Sequence, residues 1–169
     1  MTLKLQDVLE GYCKLYFPEL KAHAVYFDKE FPQEDIYISG IAAEIQQVLI
    51  ILSNNSIHAM QHSSTKKITL SVRMVNHDTV RISLTDTGHG IKPLKIQTIF
   101  APFVTSKAST EGTGMGLYNA KGLISRHKGR IWAESEGEGK GSTFCIELAT
   151  ITKPVIADEP KKVALKWKF

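Results

Sequence analysis

"TVRISLTDTGHGI", Thr79 to Ile91, is the stretch whose reading decides the fold. Its first seven residues alternate: Val80, Ile82 and Leu84 are apolar, while Thr79, Arg81, Ser83 and Thr85 are polar. That is the period of a strand with one buried face. Upstream, "KKITLSVRMV", Lys66 to Val75, alternates in the same way. The turn residues "NHD" lie between the two runs, so they pair as a β-hairpin. The second strand then ends in an acid and two glycines, Asp86, Gly88 and Gly90, with His89 between the glycines. An aspartate at a strand end either caps a turn or holds a ligand.

Downstream, "KPLKIQTIFAPFVTSKASTEGTGMG", Lys92 to Gly116, has no sustained period and is rich in Gly, Ser, Thr and Pro. A loop of that length inside one domain usually has a function. "GLYNAKGLISRHKG" reads as a helix closed by Gly129 at its C-cap. "RIWAES" and "STFCIEL" form a second hairpin around "EGEGKG". Upstream, "IAAEIQQVLIILSNNSIHAMQ", Ile41 to Gln61, is the strongest helix, with Ile41, Ile45, Val48, Leu49 and Leu52 on a broad apolar face. "KLQDVLEGYCKLYFPELKAH" is an earlier helix, which either ends near Pro18 or continues through "ELKAH". "AVYFDKEFP" reads as a strand and "QEDIYISG" as a short extended piece. The order of elements predicts an α+β two-layer sandwich, a mixed sheet with its helices on one face.

At 169 residues the chain fits one domain with a real core. Residues 1–150 are expected to form that domain. Residues 151–169 are read as a basic tail, either flexible or artificially appended. The net charge of +4 owes much to the lysines of that tail, and the body has no clustered Arg and Lys interleaved with aromatics. Nucleic-acid binding is therefore not expected. No run is apolar enough to span a bilayer and "MTLKLQDVLE" lacks a signal peptide's layout, so a cytoplasmic location without direct membrane contact is expected. Cys13 and Cys145 stand far apart, which suits two buried thiols in a reducing compartment.

Three further segments carry candidate chemistry. Asn55 lies one turn on from Leu52 and two from Val48, so it is expected on their inward side, in the middle of the long helix. It is either a satisfied core amide or a ligand for a hard cation such as magnesium. "GTGMGL", Gly112 to Leu117, runs straight into a helix, where backbone amides could approach a phosphate. It is neither a P-loop, lacking GK[ST], nor a dinucleotide fingerprint, since no strand precedes it. "FAPFVTSK" is either a hydrophobic anchor for the loop or a platform from which Lys107 reaches a terminal phosphate.

In this order and with these gaps, the segments resemble the boxes of the ATP-binding catalytic domain of sensor histidine kinases, in the nitrogen-regulation-like branch. The resembled family lies within the wider superfamily of gyrase, heat-shock chaperone and mismatch-repair ATPases. "EIQQVLIILSNNSIHAM" is similar to the Asn box, DTGHGI to the first glycine box, FAPFVTSK to the Phe box and GTGMGL to the second glycine box. The resemblance extends over about residues 3–149 and implies a Bergerat-type sandwich that binds ATP or ADP with magnesium. It makes Asp86 the acceptor for adenine's exocyclic amine, a role for which an acceptor-only carboxylate is suited. Gly88 and Gly90 would let the backbone pass beside the base, next to Ile91, and Thr143 would place a hydroxyl near it. The metal falls to Asn55, and Asn55 and Lys107 carry the phosphoryl-transfer role. His58 is a candidate phosphate contact. Phe103, Thr105, Gly112, Thr113, Gly114, Gly116 and Leu117 complete the nucleotide-binding set, with a lid over roughly 100–114.

Two departures qualify the resemblance. Ile51 stands where the family often has an earlier Asn and where hydrolytic relatives have a base, which argues against efficient ATP hydrolysis. None of the six histidines sits in a phosphoacceptor helix; His77 and Asp78 fall in the hairpin turn. The expected partners are therefore a separate dimerisation and phosphoacceptor hairpin and, downstream, a response regulator. The domain itself is expected to be monomeric, and membrane attachment of a parent kinase stays open. Two alternatives remain: a catalytically weak nucleotide-binding regulatory module and an anti-sigma-type Ser/Thr kinase.

Overall fold

The computed structural model describes residues 1–103 and 114–153. Strand β1 (Thr2–Lys4) leads into α1 (Leu5–Ala22), followed by β2 (Tyr26–Glu30), β3 (Tyr37–Ser39) and α2 (Ala42–Ala59). The hairpin β4 (Lys67–Asn76) and β5 (Thr79–Asp86) comes next, then α3 (Gly116–Arg126), β6 (Arg130–Glu134) and β7 (Ser142–Ile151). They build one mixed sheet in the order β1-β3-β7-β5-β4-β2, with β6 also paired to β7. The β2–β4 pair is parallel and the other pairings are antiparallel. This is the expected α+β sandwich.

Alternation along the strands sets the two faces. Leu70, Ile82, Leu84, Phe144 and Ile146 are buried on one side and join Leu9, Tyr12, Leu49, Leu52 and Ile124 from the three helices in a single core. The other face carries a polar brace. Glu147, 7% exposed, accepts hydrogen bonds from Arg130 and Arg81, whose guanidinium groups both lie over the ring of Trp132.

Several boundaries differ from the sequence reading. α1 takes the longer of its two readings and runs past Pro18 to Ala22, because Tyr16 and Leu20, on either side of the proline, are both buried. A helix with Pro18 on its exposed side loses a backbone hydrogen bond yet keeps its apolar face. α1 is tied to α2 by the Tyr12 hydroxyl on Ser53 and by the Tyr16 hydroxyl donating to Asn54 Oδ1. Burial raises both phenols above their usual range, Tyr16 to about 12. The short β1 had no sequence signal. β7 continues to Ile151, where it pairs with β3, one residue past the expected end of the domain.

α3 ends differently from the expected glycine cap. Lys128, with φ +56°, takes the left-handed position, its N–H donating to Ser125 O, and Gly129 N–H reaches Ile124 O at 3.0 Å. This is a Schellman turn with glycine one position later than expected. Gly129 is required there because a Cβ would sit 2.6 Å from Glu147 O. His127 locks the same end of α3 to the start of α2. Its Nδ1–H donates to Leu123 O at 2.8 Å, and its Nε2 accepts from Ile41 N–H at 3.1 Å. Arg126 pairs with Glu44 alongside.

Candidate functional site

β5 delivers Asp86 to the end of the sheet on its helix-facing side, with 3% of its surface exposed. Three donors converge on its carboxylate. Gly88 N–H donates to Oδ1 at 2.9 Å, Ser142 Oγ–H to Oδ2 at 2.9 Å, and Ser56 Oγ–H to Oδ2 at 2.8 Å. The aspartate therefore does hold a local turn through Gly88, but it also has acceptor capacity that this turn leaves unused.

The segment after Asp86 is clamped from two sides. His89 N–H donates to Ala59 O at the end of α2, at 2.9 Å. On the other side, Gly139 N–H donates to His89 O and Gly141 N–H to Gly88 O, at 2.7 and 3.1 Å. Ile91, half-buried, donates its N–H to Ser135 Oγ at 3.0 Å. Protein contacts require both glycines. A Cβ at Gly88 would lie 2.8 Å from the Ala59 backbone, and one at Gly90 would lie 2.0 Å from Gly137 O. His89 is exposed.

Two expectations are corrected here. Asn55 lies near the end of α2, not in its middle, and it is half-exposed rather than on the inward face. The fully buried hydroxyls of Ser53 and Ser56 occupy that face instead. Asn55 is thus an accessible amide, suited to a hard cation that keeps its other oxygens from phosphate and water. Among the described residues no group of three or more His, Cys, Asp or Glu could hold a metal. The second correction concerns Thr143. It pairs with Thr85 across the sheet, its hydroxyl 3.0 Å from that of Thr85, on the face away from the helices. Strand alternation turns Ser142 toward Asp86.

His58 is half-buried and lines a cavity of about 360 Å³ with Ala59, Gly88, His89 and Gly139. Phe100 packs edge-on against Phe144, anchoring the loop in the core, whereas Phe103 is 76% exposed. Phe103 N–H meets Gly114 O at 3.0 Å, so the two ends of the intervening segment come together. Gly116 opens α3 beside Ile51, whose Cγ2 lies 3.4 Å from where a Cβ would stand, and Leu117 packs on the core. Thr105, Lys107, Gly112 and Thr113, with most of the expected lid, lie outside the described residues.

Sequence reasoning missed Ser56 and Ser142. Ser56 occurs in the stripe Leu49, Leu52, Ser56, Ala59, where a buried hydroxyl requires a partner. Ser142 stands in register with Phe144, Ile146 and Leu148 on the apolar side of its strand.

A mixed sheet roofed by helices on one face, with an aspartate buried at the end of β5 and α3 opening at Gly116, is the architecture of a nucleotide-binding catalytic domain, as the family and structural matches show. The chain belongs to the family described as Histidine kinase-, DNA gyrase B-, and HSP90-like ATPase, whose profile matches residues 40–151. It is 39% identical over 152 residues to the sensor histidine kinase ZraS of Salmonella typhimurium, spanning 90% of this chain and 32% of that protein. It is 36% identical to the sensor protein FixL of Bradyrhizobium diazoefficiens over 69% of this chain and 22% of that protein. The chain thus covers a third or less of the length of these relatives. The catalytic domain of histidine kinase ThkA superposes with a TM-score of 0.75 at 27% identity, covering 88% of this chain and 96% of that one. Among the described residues no helix is long and apolar enough to cross a membrane.

Proposed function

We propose that this chain is the ATP-binding catalytic module of a two-component sensor histidine kinase, positioning Mg-ATP for transfer of the γ-phosphoryl group to a histidine on a separate dimerisation hairpin. The observation that carries the reading is Asp86. A carboxylate held in place by three donors, with Gly88 beside it lining a cavity, accepts from an exocyclic amine and disfavours a carbonyl at the same position. Phosphoryl transfer asks little covalent help of the protein beyond positioning and charge neutralisation. Magnesium, when bound, supplies that neutralisation, and Asn55 is the residue that would hold it. Ile51 offers no carboxylate to activate water, so the module retains ATP for an acceptor rather than hydrolysing it. Residues 1–151 act as the module and the basic remainder as an extension. A response regulator follows in the pathway; ThkA has been solved with the response regulator protein TrrA. The site works in the cytoplasm, where ATP is supplied.

Ile51 beside Gly116 also favours a second reading, a nucleotide-binding module of low activity. Calorimetric titration of ADP and a non-hydrolysable ATP analogue, with and without magnesium, tests the site. Asp86→Asn is expected to weaken adenine nucleotides by about tenfold or more, because one acceptor becomes a donor facing the base amine. Absence of binding by the wild type would refute the assignment. Radiolabelled ATP with a cognate hairpin fragment then separates the readings: label on histidine supports the kinase, label on serine an anti-sigma-type kinase, and none the weak module.

A further inference from the structure

We propose that Ser56 is a positioning residue for base selection, acting through Asp86. The proposal rests on the nucleotide reading above. A carboxylate oxygen has two in-plane acceptor directions. Ser56 Oγ and Ser142 Oγ both donate to Asp86 Oδ2, at 2.8 and 2.9 Å, so that oxygen is saturated. Oδ1 accepts Gly88 N–H at 2.9 Å, which leaves it one open direction. The carboxylate therefore enters recognition with one orientation and one free acceptor site.

The two serines hold Oδ2 from different elements. Ser142 belongs to β7, the neighbouring strand, while Ser56 belongs to α2 and is fully buried. Ser56 also follows Asn55 directly, so the helix turn that presents the metal-binding amide also fixes the base-reading acid. Without the Ser56 hydroxyl, Oδ2 regains an open direction in a site where an amine or a water could take it. The acid then has more than one way to present itself, and its preference for an amine at the Oδ1 position falls.

The test compares ADP with IDP, which carries a carbonyl in place of adenine's amine, by calorimetry on wild type, Ser56→Ala, Ser56→Cys and Asp86→Asn. Ser56→Ala is expected to weaken ADP about five- to tenfold while IDP changes less than about twofold, so the ratio of the two affinities falls by nearly the whole loss. Ser56→Cys, with a weaker donor of similar shape, is expected to fall between. A merely structural role would weaken both nucleotides in parallel, and that outcome overturns the proposal, as does an unchanged ratio. The ratio in Asp86→Asn keeps the two failures apart. If it collapses there while Ser56→Ala leaves it intact, Ser56 is excluded and the nucleotide site stands. If Asp86→Asn also leaves it intact, base reading by Asp86 fails first.

Discussion

Gly90→Ala is the substitution that most directly probes how the Asp86 segment is held. Gly90 has φ +75°, where an L-residue loses roughly 1–2 kcal/mol. Its new Cβ would lie 2.0 Å from Gly137 O, against ordinary contact at 3.4 Å or more. The β6–β7 turn must therefore retreat by more than an ångström, and the obstacle is backbone, not a side chain that can swing aside. Retreat breaks Gly139 N–H to His89 O and Ile91 N–H to Ser135 Oγ, each worth about 0.5–1.5 kcal/mol. The expected loss is about 2–5 kcal/mol, within the roughly 5–15 kcal/mol by which domains are stable, so the variant folds but is weakened. Urea unfolding with an unchanged m-value would measure it. Gly137→Ala is the control: its φ is +121° but nothing lies within 4 Å of its Cβ, so only the backbone contribution remains. A Gly90→Ala loss below about 1 kcal/mol, or one no larger than that of Gly137→Ala, would refute the two-sided clamp.

Two further outcomes follow from the structure. Gly122 lies inside α3 with nothing within 4 Å of a Cβ, so Gly122→Ala is expected to raise stability by about 0.5–1 kcal/mol in the same urea assay. Hydrogen bonding from Arg130, and then from Arg81, holds the Glu147 carboxyl below its usual 4.5 against the opposing effect of burial. A depressed carboxyl contributes stability that is complete above about pH 4.5 and is lost as the pH falls through its folded value. Thermal melts between pH 7 and 3 are therefore expected to show a steeper acid-side fall in wild type than in Glu147→Gln.

Periodicity carried most of the fold. The alternation in β4, β5 and β7 and the apolar stripe of α2 are local signals, and each element sits within a few residues of its expected place. What stayed hidden depends on contacts distant in sequence. Pro18 suggested a helix end, but burial of Leu20 against the core outweighed one missing hydrogen bond. Gly129 suggested a left-handed cap; its glycine is instead required by Glu147 O, eighteen residues on. The three-residue β1 exists because β3 offers it an edge, and nothing in Thr2–Lys4 announces that.

The site divides along the same line. Asp86 was legible because an acid and two glycines after an alternating strand are unusual, and the structure buries it with its acceptors directed. The glycines were legible as necessary but for a reason the sequence could not supply, since Ala59 and Gly137 meet them only in the folded chain. Asn55 and Thr143 show how a one-residue phase error misassigns a face. On α2 a step of 100° separates the half-exposed Asn55 from the buried Ser56, and on β7 a step of one residue separates Thr143 from Ser142. In both cases a serine beside the expected residue makes the contact with Asp86. The Asp86 carboxylate is therefore held by a pair of buried hydroxyls that a reading by motif passes over, and a count of buried polar groups and their required partners would have pointed to both.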